Sequence, residues 1–221
     1  MLVSAGRMSM GPADAAFRRC WPEARPIHLL DESLSSDGAR WGATSPVILE
    51  RFERIGQYCA IAQADAVLFT CSAFAEAIGR VRRAHPFPVL TPNEALFDRL
   101  LGTEGETAVL VTFQASVEAL RAELALQARA CGIEPRVDFH FVPDAFDQPD
   151  HDHRVIEACR RLEGRYQALA FGQFSMLPAI DAARAAVSVP VWDTPTSSVE
   201  KLRAVCGVFS SASQGAGTLA G

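Results

Sequence analysis

Two stretches of the chain, "AVLFTCSAF" at 66–74 and "ALAFGQFSM" at 168–176, share a shape: a short apolar run that breaks into a helical pattern. Cys71 stands at the corner of the first and Gln173 at the corner of the second. A thiol at the end of a strand and the start of a helix meets unpaired backbone N–H groups and the positive end of the helix dipole. Both favour the thiolate, so the Cys71 pKa is expected below its ordinary value. Thr70, Ser72 and the local amides are then placed to hold a carboxylate or the enolate formed from one. Gln173 has no proton to exchange at neutral pH but offers two donors and an acceptor. It can orient a carboxylate, with Ser175 and the amides after Phe174 beside it, or simply cap a helix.

Other strand ends carry polar groups too. Thr112 closes "AVLVTFQAS", where its hydroxyl either contacts substrate or caps the next helix; Ser4 and Ser9 mark the corresponding turn near the start. Asp31, Glu32 and Ser33 follow "PIHLL". Asn93 follows Thr91-Pro92 and is counted among the substrate contacts, whereas Thr91-x-x-Glu94 fits a capping box and gives Glu94 a structural role. "HDH" at 151–153, with Asp147 and Asp150 upstream, lacks a third ligand of recognisable spacing, so no metal is expected there. Cys59 and Cys131 fall on apolar helical stripes, and Cys20, Cys159 and Cys206 lack a strand-end setting, so none of these five is expected to react.

Eight apolar runs must position these residues: Leu2–Ala5, Pro26–Leu30, Ala66–Thr70, Phe87–Leu90, Thr107–Phe113, Val137–Val142, Ala168–Phe171 and Val189–Trp192. They show little polar alternation, as in parallel strands buried on both faces. Helical patterns separate them. Ser45-Pro46 opens one whose stripe is Ile48, Phe52, Ile55, Cys59 and Ala62; Ser116 opens another with Val117, Leu120, Leu124 and Cys131, ended by Gly132.

The two halves look like copies. Ala66, Phe69, Ala77 and Ile78 recur as Ala168, Phe171, Ala179 and Ile180, a constant separation of 102 positions, and Pro88-Val89 recurs as Pro190-Val191. The expected architecture is therefore α/β: two pseudo-symmetric, open, mostly parallel sheets flanked by helices, with the site in the cleft beyond their carboxyl ends. Residues 1–97 with 197–221 would form the first lobe, and 98–196 the second.

Composition narrows the function. The chain has 221 residues, 49% of them hydrophobic, and a net charge of -5. No basic cluster offers a phosphate footprint, so no nucleic-acid partner is expected. No apolar run reaches the roughly 20 residues of a membrane span, and "MLVSAGRMSM" lacks the long apolar segment of a secretory signal. The six cysteines show no CxxC pairing and read as reduced thiols of a cytoplasmic protein. No GxGxxG follows a strand and no GxxxxGK[ST] occurs, so no nucleotide cofactor is expected. The small, polar tail "SSASQGAGTLAG" is expected to be mobile.

Taken together, "RRCWPEARPIHLLDESL", "ADAVLFTCSAF", "PVLTPNEALF", "VLVTFQASVEAL" and "LAFGQFSM" resemble the aspartate/glutamate racemase superfamily over nearly the whole chain. That superfamily includes glutamate, aspartate and hydantoin racemases, arylmalonate decarboxylase and maleate isomerase. The resemblance implies two facing lobes, no cofactor, a small carboxylate substrate in the cleft and a possible homodimer. In the racemases one cysteine from each lobe flanks the substrate α-carbon. Cys71 is similar in position to the first, and Gln173 stands where the second would be. The decarboxylase has its single cysteine in the second half, and the isomerase has both, so this chain matches neither pattern fully. Glutamine cannot act as acid or base. The resemblance thus implies an isomerase or racemase-like enzyme working through Cys71, with Thr70, Ser72, Thr112, Asn93, Gln173 and Ser175 binding substrate. Its alternatives are a one-sided decarboxylase of a malonate-type acid and a small-carboxylate-binding protein without catalysis.

Overall fold

The structure is a computed structural model that describes residues 1–114 and 116–216. Its strands are β1 (Leu2–Ser4), β2 (His28–Leu30), β3 (Val67–Phe69), β4 (Val89–Leu90), β5 (Thr107–Val111), β6 (Val137–Phe141), β7 (Ala168–Phe171) and β8 (Val191–Asp193). Every run read as a strand contains one, except that β8 reaches one residue beyond the run Val189–Trp192. They form two four-stranded sheets, ordered β2-β1-β3-β4 and β6-β5-β7-β8, and every pairing is parallel. Parallel order requires crossovers, which the helices supply. These are α1 (Met10–Cys20), α2 (Ser33–Trp41), α3 (Pro46–Ile61), α4 (Ala75–Ala84) and α5 (Glu94–Leu101) in the first half. In the second half they are α6 (Ser116–Cys131), α7 (His151–Leu162), α8 (Ile180–Ala186) and α9 (Thr194–Ala216).

The duplication extends to atomic detail. Val67 pairs with Val89 and Leu169 with Val191, so the 102-residue separation survives in the register. Arg82 Nε donates to the Val89 carbonyl at 2.8 Å, and Arg184 Nε donates to the Val191 carbonyl at 2.9 Å. Each lobe therefore ties the helix before its last strand to that strand with the same guanidinium.

The inner strands β1, β3, β5 and β7 are buried on both faces, which explains their unalternating apolar runs, while the edge strands β2 and β6 are only partly buried. Val3, Val67 and Phe69 turn toward Ile48, Phe52 and Ile78, while Leu2 and Leu68 join a core shared by both halves with Phe17, Leu110, Phe171 and Val191. The helix α5 crosses over: Leu96, Phe97 and Leu100 pack with Val109, Val111, Leu120 and Leu124 of the second half. The expected lobe boundary after residue 97 falls inside that helix. Returning from the second sheet, α9 places Val199 and Leu202 in the shared core beside α1.

Local expectations are mostly met. Pro46 takes the first helical position of α3, although Ser45 supplies no side-chain cap. Gly132 ends α6 at φ +68, which a side chain would strain. Glu94 accepts hydrogen bonds from the Thr91 backbone N–H at 3.2 Å and from the Thr91 hydroxyl at 3.3 Å, as the capping box requires. Two readings need correction. Cys131 is exposed, because the buried stripe of α6 stops at Ala128. Helix α9 continues to Ala216, through the first part of the tail read as mobile; residues 217–221 of that call lie outside the described residues. No described helix is long and apolar enough to cross a membrane.

Candidate active site

Strand ends from both sheets open onto one cavity of about 480 Å³. Cys71 and Gln173 both line it, with Thr70, Ser72, Asn93 and Ser175. Six of the seven expected site residues are thus brought together. Thr112, the seventh, is only 2% exposed and is not on the cavity wall.

The reason for Cys71's position is local. β3 ends at Phe69, and extended backbone at Cys71 turns the chain into a three-residue 3-10 segment, Ser72–Phe74, before α4 starts at Ala75. This corrects the expectation of a lowered thiol pKa. No full helix begins at the sulfur, and burial pushes the Cys71 thiol up from its ordinary value, with only the Ala73 backbone amide pulling it back. At neutral pH the group is a thiol.

Gln173 is the counterpart in the second lobe, also extended and also followed by a 3-10 segment, Phe174–Ala179. Its Oε1 accepts from the Thr112 backbone N–H at 2.7 Å and from the Thr112 hydroxyl at 3.0 Å. Its Nε2 lies 3.5 Å from Ser116 Oγ, which accepts from it. Two donors already occupy the amide oxygen, so the amide faces the cavity with N–H and acts there as a donor. Thr112 therefore serves by fixing Gln173, not by touching a ligand. Ser116, read only as the start of α6, lines the cavity beside it. The signal available in the sequence was its place four residues past a strand-end threonine.

Other polar groups are committed to the protein. Thr70 donates to Ser4 at 3.0 Å and shares a 2.8 Å hydrogen bond with Ser9, whose hydroxyl also reaches the Gly6 carbonyl. This hydroxyl cluster stiffens the floor of the first lobe. Asn93, fully buried at the cavity wall, accepts from the Thr194 hydroxyl at 3.1 Å and donates to Glu123 at 3.4 Å. Thr194 also donates to the Phe171 carbonyl, so Asn93 links the ends of β4 and β7. Burial pushes the Glu123 carboxyl up, opposed by hydrogen bonds from Thr91 and Asn93. Among the described residues, Ser72 and Ser175 line the cavity with hydroxyls that the surrounding protein does not engage.

Among the described residues, no Asp, Glu, His, Lys or Arg lines this cavity. Asp31 is taken up by Arg51 and Ser33, and Glu32 by Arg7, so the acidic strand end after β2 anchors its own loop. His151 and Asp147 border a neighbouring cleft of about 350 Å³, and the described residues contain no group of three metal-ligating side chains. All six cysteines are free.

No family model matches the chain, and no curated protein matches it either. Solved structures do. Allantoin racemase from Klebsiella pneumoniae superposes with a TM-score of 0.69 at 14% identity, covering 94% of this chain and 86% of that one. The aspartate racemase of Picrophilus torridus gives 0.66 at 11% identity, with 93% of each chain covered. A glycine-to-cysteine mutant of arylmalonate decarboxylase gives 0.63 at 17% identity, covering 93% of this chain and 92% of that one. These likenesses establish architecture: the chain has the two-lobed parallel α/β fold seen in these racemases and in arylmalonate decarboxylase.

Proposed function

We propose that the protein is an enzyme that delivers a proton, from Cys71 and to one face only, at the carbon beside the carboxylate of a small acid. The observation carrying this reading is that Cys71 is the single titratable side chain among the described residues lining a cavity shared by two racemase-like lobes. Inversion at carbon needs an acid and a base on opposite faces. Here the equivalent corner of the second lobe offers the Gln173 amide, whose oxygen is already held by Thr112.

The raised thiol pKa favours the alternative of decarboxylation over proton abstraction. In a malonate-type acid the bond to one carboxylate breaks, CO2 leaves, and the electron pair stays behind as an enediolate. Gln173 Nε2 and the hydroxyls of Ser116 and Ser175 donate to its oxygens. The Cys71 S–H then gives its proton to the carbon, and the thiolate regains one from water. A thiol that stays protonated at neutral pH suits this donor role.

The test is a panel of amino acids, hydantoins and substituted malonates incubated in D2O with wild type and with Cys71→Ser. Cys71-dependent CO2 release with deuterium on one face supports the reading. Cys71-dependent racemisation of any substrate overturns its one-sidedness. Ligand-induced thermal stabilisation with neither reaction identifies a carboxylate-binding protein instead.

A further inference from the structure

One wall of the cavity is apolar beyond what a small polar acid requires. Phe113, just past β5, is 46% exposed, and Phe146, in the loop after β6, is 37% exposed. Their rings lie 5.0 Å apart at a tilt of 37°. Met8, 46% exposed, lines the same cavity from the first lobe, and α2 adds Ala39. Large apolar side chains left open beside a concave site are characteristic of ligand contact, because nothing in the protein removes them from water. Next to these rings Gln173, Ser116 and Ser175 offer neutral donors for carboxylate oxygens: Ser116 donates its backbone N–H to the Phe113 carbonyl, and Ser175 borders a cleft shared with Met8 and Phe146. Among the described residues no charged side chain lines this cavity; Asp147 and His151 stand in the neighbouring cleft beyond Met8 and Phe146.

We propose that the substituent on the substrate's reacting carbon is uncharged and apolar, an arene or a branched alkyl group, seated against Phe113, Phe146 and Met8. This rests on the reading above that the cavity takes a small carboxylate. A side-chain carboxylate or ammonium placed against these rings would give up water and meet no opposite charge among the described residues lining this cavity, a penalty that apolar contact does not offset. Aspartate and glutamate are thereby disfavoured, although proteins of this fold include an aspartate racemase. A phenyl ring instead removes its own surface and that of both phenylalanines from water, and an offset or tilted ring completes an aromatic cluster.

The probes are phenylacetate, acetate, aspartate and glutamate, titrated calorimetrically into the full chain carrying Cys71→Ser, so that no bond is made or broken. Phenylacetate is expected to bind at least about tenfold tighter than acetate, with aspartate and glutamate weaker than phenylacetate. Phe113→Ala and Phe146→Ala are each expected to weaken phenylacetate several-fold while leaving acetate unchanged; both side chains are exposed, so melting temperatures should hold. Equal binding of phenylacetate and acetate, or aspartate or glutamate binding as tightly as phenylacetate, overturns the proposal. Phenylacetate affinity unaltered in both phenylalanine variants also overturns it. Turnover plays no part in this comparison, so an inactive enzyme would sink the proposed reaction and leave the substituent class standing.

Discussion

The backbone N–H and the hydroxyl of Thr112 both donate to Oε1 of Gln173, at 2.7 and 3.0 Å, and so decide which way the amide faces. A buried threonine just past β5 thereby turns a neighbouring glutamine into a hydrogen-bond donor for the cavity. Replacing Gln173 with Glu keeps an acceptor for Thr112 but puts a negative charge into a cavity lined by none. Anion affinity is expected to drop about tenfold or more. Thr112→Val removes one of the two donors, costs about 1 kcal/mol of stability, and should raise KM more than it lowers kcat. Titration of both variants with phenylacetate reads the first effect, and steady-state kinetics the second.

The Cys71 thiol has a raised pKa, with burial as the main cause. Alkylation by iodoacetamide should accordingly be slow at neutral pH and accelerate only above the ordinary cysteine value of about 8.5. Activity that uses the thiol as a proton donor should fall over that same alkaline range as the thiolate forms. A rate that rises there instead would make Cys71 a base. Cys71→Ser should lower turnover by about a thousandfold or more while retaining ligand binding.

Cys159 on α7 is fully buried, and its thiol is pushed up to about 12 by burial. Unfolding would return it to about 8.5. Because the folded value is the higher one, the folded state holds the proton more tightly. Its contribution to stability is full below about pH 8.5 and is lost as the pH climbs toward about 12. Urea unfolding from neutral to alkaline pH should show a steeper loss in wild type than in Cys159→Ala, even though the variant starts less stable.

Asp193, at the end of β8, is 1% exposed and lies 3.3 Å from Arg184 and 3.7 Å from Arg19. It also accepts from the Thr196 backbone N–H at 2.6 Å in the first turn of α9. Asp193→Ala removes a buried ionic partner and a helix cap together and should cost about 3 kcal/mol. Asp193→Asn keeps an acceptor for the cap and should cost less. Chemical denaturation of the two variants measures the difference.

The sequence alone specified the architecture of this protein because its evidence is local. Unalternating apolar runs report strands buried on both faces, and the 102-residue repeat reports two equivalent sheets; Arg82 and Arg184 make the same strand contact at that separation. The convergence of Cys71 and Gln173 followed from equivalent strand ends in a duplicated fold. What the chain's order could not express were the contacts between residues far apart in it. Phe97 and its neighbours on α5 bury themselves in the opposite half because the hydrophobic surface they need belongs to β5 and α6. Thr112 turns from a candidate substrate contact into the holder of Gln173, 61 residues away. Phe113 and Phe146 become one aromatic wall only when two loops meet. The thiol followed the same logic: a helix start read from sequence favours ionisation, but the burial that opposes it exists only after the chain has folded around it.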